Sequence, residues 1–135
     1  MQPSHALIKE VQHFLDRFAA AVTKGDGETA TRLWEVPALV MGDNMQMEVE
    51  SDEQVAELFG AGKDEYHAKG ITDTRADIIG LEDLTPKVVL VTVRFPWINK
   101  DGEEIGGETS TYTLKRDQEG ALRIRSSVMH GAETH

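Results

Sequence analysis

The chain has 135 residues, is 39% apolar and 28% charged, and carries a formal net charge of −10 at pH 7. Those values describe a single soluble domain over residues 1–135 and exclude a disordered chain. The acidic balance opposes nucleic acid and anionic lipid surfaces, no apolar run approaches the ~20 residues of a membrane span, and the absence of cysteine removes disulfide and thiolate chemistry. The opening MQPSHALIKE lacks the basic and long apolar regions of a signal peptide, so a cytoplasmic location is expected.

In chain order, Leu7, Val11, Phe14, Leu15, Phe18 and Val22 repeat on one face of a helix over 6–24. Lys24-Gly25 ends it, and Asp26 caps a short helix through about Trp34. Pro37 stops helical structure and opens an extended segment over 38–41. Gly42-Asp43-Asn44 is turn chemistry, and the alternation from Met45 to Glu50 completes a hairpin. Ser51 to Gln54 is a capping box for a third helix with Val55, Leu58, Phe59 and Tyr66 inward, weakened by Gly60 and Gly62. Strands follow over 73–83, 87–98, 104–116 and 121–130, separated by turn sequences, which predicts an antiparallel meander and an α+β domain.

This order resembles the NTF2-like superfamily of SnoaL-like polyketide cyclases, ketosteroid isomerases and scytalone dehydratase. The residues that carry the likeness are Phe18-Ala-Ala-Ala-Val-Thr-Lys-Gly25-Asp26, Leu33-Trp34 and the closing Gly120-Ala-Leu-Arg-Ile124. The resemblance implies a cone: a curved antiparallel sheet and three N-terminal helices enclosing a pocket, commonly in a homodimer. Leu90 and Ile98, on the outer face of their strand, are compatible with such a dimer. Placed on the ketosteroid isomerases, the oxyanion-hole tyrosine falls on Phe18. The general base falls on Gly42, with Asp43 one place off, and the protonated aspartate falls near Tyr112. Two of three functional positions are lost, which disfavours that enolisation mechanism.

Turn chemistry also predicts register. A two-residue loop at Asp101-Gly102 sets Trp97 opposite Gly106, Phe95 opposite Glu108, Val93 opposite Ser110 and Val91 opposite Tyr112. The odd-numbered face of Val89 to Trp97 is plainly the buried one, so Glu108, Ser110 and Tyr112 point inward. A three-residue loop at Gln118–Gly120 then puts Leu122, Ile124, Val128 and His130 inside and Arg123 and Arg125 outside, where a local basic strip could still exist. A four-residue loop would reverse the parity and bury the two arginines, which favours the first reading.

Glu108 and His130 thereby become cross-strand neighbours and the candidate catalytic pair, the carboxylate orienting the imidazole. Trp34, Phe59, Tyr66, Phe95, Trp97 and Tyr112 are the candidate ligand-binding residues. His5, His13, His67, His130 and His135 show no metal-ligand spacing, and nucleophile elbows and phosphate loops are absent, so neither metal nor cofactor is expected.

Two function classes fit these residues. One is binding of a small apolar or aromatic molecule, with SnoaL-like isomerase, cyclase or hydrolase chemistry by general acid and base. The alternative is a non-catalytic association module whose cavity is vestigial, filled by Trp97 and Tyr112.

Overall fold

In chain order the elements are α1 (His5–Lys24), α2 (Gly27–Leu33), β1 (Trp34–Gly42), β2 (Met45–Val49) and α3 (Asp52–Ala68). Then come β3 (Asp73–Thr74), β4 (Asp77–Thr85), β5 (Val88–Ile98), β6 (Glu104–Arg116) and β7 (Leu122–Thr134). This computed structural model describes residues 3–134; His135 lies outside them. No helix among the described residues is long and apolar enough to cross a membrane.

The helices begin and end where their sequence signals stand. Ser4 Oγ accepts from Leu7 N at 3.1 Å to start α1, whose buried face is Leu7, Val11, Phe14, Leu15 and Phe18. Asp26 takes both the amide and the hydroxyl of Thr29, at 3.1 and 2.7 Å, and so caps α2. At α3, Ser51 Oγ accepts from Gln54 N, and the Gln54 side chain returns to Glu50 N, one residue earlier than an ordinary capping box. The α3 helix runs unbroken through Gly60 and Gly62 but fully buries only Val55.

The sheet has seven strands in the order β2-β1-β7-β6-β5-β3, with β4 also on β5. The meander from β4 to β7 is antiparallel, as expected, whereas β1 joins β7 in parallel and makes the sheet mixed. Strand structure also begins earlier than Pro37 suggested, at Trp34, and Pro37 lies inside the register shift between Trp34 and Leu39. The predicted strand over 73–83 is in fact two. β3 pairs Thr74 with Trp97, β4 resumes by pairing Asp77 with Arg94, and the gap falls opposite Phe95 and Pro96. Pro96 has no N–H to offer a ladder, so the edge lifts away there.

The β5–β6 register is the expected one, reached by a different route. Asn99 N bonds to Glu103 O and Gly102 N to Asn99 O, so the turn has three residues between its paired ends, not two. An extra residue, Ile105, between the Trp97–Gly106 and Ile98–Glu104 pairs then restores the parity. Val89, Val91, Val93, Phe95 and Trp97 are all at most 5% exposed, and the first four pack with Tyr112, Leu114, Leu122 and Ile124 beneath α1. Bulges also leave Ile79 and Leu84 unpaired on β4, where they project into solvent at 62 and 52% exposure.

Candidate functional site

The turn after β6 follows the three-residue reading, since Asp117 N bonds to Ala121 O. Beyond it, β7 carries two extra residues. Leu114 pairs with Ile124 but Thr113 with Ser126, which leaves Arg125 unpaired; Ser110 pairs with Met129 but Thr109 with Gly131, which leaves His130 unpaired. Each bulge reverses the facing of the residues beyond it. Ser127 therefore turns inward and is buried, while Val128 is 37% exposed, the reverse of the expected arrangement.

The same shift separates the expected catalytic pair. Glu108 lies opposite Ala132, and His130 Nε2 sits 2.7 Å from Thr111 Oγ1. Thr111 belongs to the outer face, where its hydroxyl also meets Thr92 at 2.8 Å. His130 borders the cavity along its stretch of β7, but its imidazole nitrogen is spent on the other side of the sheet.

The partner of Glu108 is Tyr66, whose hydroxyl donates to Glu108 Oε1. Tyr66 reaches it because α3 ends in a Schellman motif. Gly70 adopts φ 81°, its N–H bonds to His67 O, and Ile71 N bonds to Tyr66 O at 2.9 Å. Ile71 is fully buried, so the last helical turn is nailed to the domain with Tyr66 facing the sheet.

Around this pair lies a cavity of about 720 Å³. All six expected ligand-binding residues, Trp34, Phe59, Tyr66, Phe95, Trp97 and Tyr112, line it, together with Glu108. Phe18 forms its floor with edge-on contacts to Phe59, Phe95 and Tyr112 at centroid distances of 5.6, 6.0 and 5.4 Å. Trp97 uses the space that Gly106 leaves. A Cβ on Gly106 would stand 2.8 Å from the indole and 2.5 Å from Glu133 O.

Burial pushes the Glu108 carboxyl above its ordinary range, while the Tyr66 hydroxyl, the Trp97 indole and Lys69 pull the other way and Glu65 adds to the rise. The Trp97 Nε1–H, though beside that carboxyl, is buried and closes no hydrogen bond of ordinary geometry; Trp34 Nε1 is likewise buried and unpartnered among the described residues. Desolvation also raises Tyr66, helped by Glu108, and raises Tyr112 against the opposing pull of Ser110 and Ser127. Both phenols therefore stay protonated, and the carboxyl keeps its proton to a higher pH than a solvated glutamate. The arrangement can donate hydrogen bonds to a ligand oxygen, and it can exchange a proton through Glu108.

Lys69, Ser127 and Met129 were missed as lining residues. Gly131, with φ 115°, marks the second bulge in the sequence, whereas nothing marks the first. Lys69 Nζ stands 5.4 Å over the Trp97 ring and 3.4 Å from Glu65 Oε1. Arg123 and Arg125 form no free basic strip. Arg123 donates to the carbonyls of Thr31 and Trp34, and Arg125 lies 3.7 Å from Glu35. Among the described residues no group of three or more His, Asp or Glu could hold a metal ion.

The sequence pattern of the NTF2-like protein family DUF6841 matches residues 9–132. No curated protein matches the chain significantly. Among solved structures, a protein of unknown function with a cystatin-like fold from Nostoc punctiforme superposes with a TM-score of 0.73 at 14% identity, over 95% of this chain and 78% of that one. Aln2 from a Streptomyces species gives 0.73 at 18% identity, over 96% and 93%. A ketosteroid isomerase-like protein from Erwinia carotovora atroseptica gives 0.68 at 11%, over 94% and 97%. At such identities the likeness is one of fold.

Proposed function

The chain belongs to the NTF2-like family DUF6841, and from that premise we propose that it binds a small, largely apolar or aromatic molecule and acts on it by general acid–base chemistry through Glu108. The observation that carries the reading is the Tyr66–Glu108 pair set into the wall of a cavity built mainly from aromatic and aliphatic side chains. A carboxyl raised by burial holds its proton to a higher pH than a solvated glutamate and so can give one up as well as take one, and a phenol held against it fixes its orientation. That chemistry belongs to the isomerase, cyclase and hydrolase class of SnoaL-like proteins. It differs from the ketosteroid isomerase arrangement, since Phe18 packs as a floor and Gly42 carries no base.

His130 is left out of this mechanism because its ring nitrogen serves Thr111. The open cavity favours ligand binding over an association module, which needs Trp97 and Tyr112 to fill the space. A homodimer through the outer sheet face accompanies the proposal, with Leu90 and Ile98 half-buried on that face; sedimentation at micromolar concentration tests it.

The ligand reading is tested with N-phenyl-1-naphthylamine, an uncharged aromatic probe, by following its fluorescence and energy transfer from Trp34 and Trp97. Saturable one-to-one binding is expected, weakened at least tenfold by Tyr112→Lys with the fold retained by circular dichroism. Lack of saturable binding to the folded wild-type protein refutes the reading.

A further inference from the structure

The cavity is not uniform along its length. Its polar end is where Tyr66, Glu108 and the Trp97 indole meet, between α3, β6 and β5. Its other end lies across the sheet, under β2, β1 and β7. There Met45, Leu58 and Met129 line it, although they are 39, 39 and 40% exposed.

Singly exposed apolar residues are ordinary. Here, however, three of the seven large exposed hydrophobics among the described residues converge on one opening. The two methionines also stand close together: a Cβ on Gly42 would lie 3.5 Å from Met129 Cε and 3.6 Å from Met45 Cγ. Such a collar leaves apolar surface at the opening in contact with water, and methionine adapts its shape to an apolar guest. Met45 on β2 is three strands away from Glu108 on β6, about 14 Å measured along the sheet at ordinary strand spacing.

Charge narrows the guest further. Asp43 also lines the cavity, in the turn beside Met45. Glu65 stands near Glu108, and the whole chain carries −10. An anionic ligand meets Asp43 at one end and Glu65 at the other, where the Lys69 ammonium is already engaged by Glu65 Oε1 at 3.4 Å. At the polar end, Lys69 stands over Trp97 and already supplies the cation.

Resting on the reading of the cavity as a ligand site, we infer that its ligand is an uncharged, elongated molecule, with one acceptor oxygen at Tyr66 and Glu108 and an apolar tail leaving between Met45, Leu58 and Met129. The head is then a carbonyl or similar oxygen rather than a carboxylate or an amine. The tail leaves the enclosed part of the cavity and is covered by the collar.

The test is a homologous series of 4-n-alkylacetophenones, ethyl to octyl, displacing bound N-phenyl-1-naphthylamine. Affinity is expected to rise about threefold per methylene as the tail covers apolar surface, and the matching 4-n-alkylbenzoates are expected to bind at least tenfold more weakly. The double variant Met45→Ser, Met129→Ser removes the chain-length dependence, whereas Tyr66→Phe weakens every ketone by one common factor. Neither methionine is buried, so the double variant keeps its fold. If the naphthylamine binds but the ketones show no chain-length dependence, or the benzoates bind as well as the ketones, this inference fails and the ligand-site reading stands. If nothing binds the folded protein, both fail.

Discussion

Replacing Glu108 with glutamine removes one titrating group while keeping side-chain length and an acceptor for the Tyr66 hydroxyl. In the wild-type protein, burial holds the proton on Glu108 above its ordinary value of 4.5. Between 4.5 and the raised value of the folded state, the native protein binds more protons than the unfolded chain. Stability contributed by this group is therefore complete below 4.5 and falls as pH rises through that window, by at most about 1.4 kcal/mol per pH unit. With a urea dependence of about 1–3 kcal/mol per molar for a small domain, the midpoint should move by at most about 0.5–1.4 M per unit. The assay is urea unfolding of both proteins from pH 4 to pH 8, followed by circular dichroism. Contributions from all other groups cancel in the difference, so the wild-type midpoint should fall away from that of Glu108→Gln as pH rises and then level off. Tyr66→Phe removes an interaction that lowers the Glu108 pKa, and so extends the window upward. Midpoints that stay parallel over the whole range, or a variant that loses stability faster than wild type, refute the assignment of Glu108 as a buried, proton-retaining carboxyl.

A Cβ at Gly60 or Gly62 meets nothing within 4 Å; Gly60→Ala and Gly62→Ala should each stabilise α3 by about 0.5–1 kcal/mol, and a scanning melt should show a higher Tm for each. Gly106→Ala places its Cβ against Trp97 and Glu133 O and should destabilise by about 1–3 kcal/mol, with a shift in tryptophan emission as the indole is displaced; an unchanged spectrum and midpoint would show that the indole does not occupy that space. Arg123→Met leaves the carbonyls of Thr31 and Trp34 without their charged donor and should lower stability by about 1.5–3 kcal/mol, measured by urea unfolding.

How far the sequence reveals this protein depends on the kind of signal each residue carries. Caps such as Asp26 and Ser51 are local chemistry, so α2 and α3 start where the side chains say. The buried stripe from Val89 to Trp97 is periodic, and its partners Glu108, Ser110 and Tyr112 follow by pairing alone. Parity is more fragile. At β5–β6 one misjudged turn residue and one unforeseen bulge cancel, so the inward face is right for a reason the residues did not state. At β7 the bulge at Arg125 reverses the panel from Ser126 to Met129, and His130, itself the second bulge residue, borders the cavity but turns its imidazole nitrogen to Thr111. Tyr66 could be assigned to the inner face of α3, but not to Glu108. That contact depends on where a helix lies over a curved sheet, and only the Lys69-Gly70-Ile71 stop hints at it.

The two bulges of β7 are separated by four paired residues, Ser126 to Met129, and together they return the strand to the facing it began with. That short panel is in effect mounted on two swivels. Pairing this panel without the Arg125 bulge would slip every partner by one, setting Ser126 on Tyr112 and Val128 on Ser110, and would put those two in the cavity wall in place of Ser127 and Met129. The position of the bulges, as much as the residues between them, thus decides how this stretch of the wall is lined, while the Tyr66–Glu108 contact lies outside the panel.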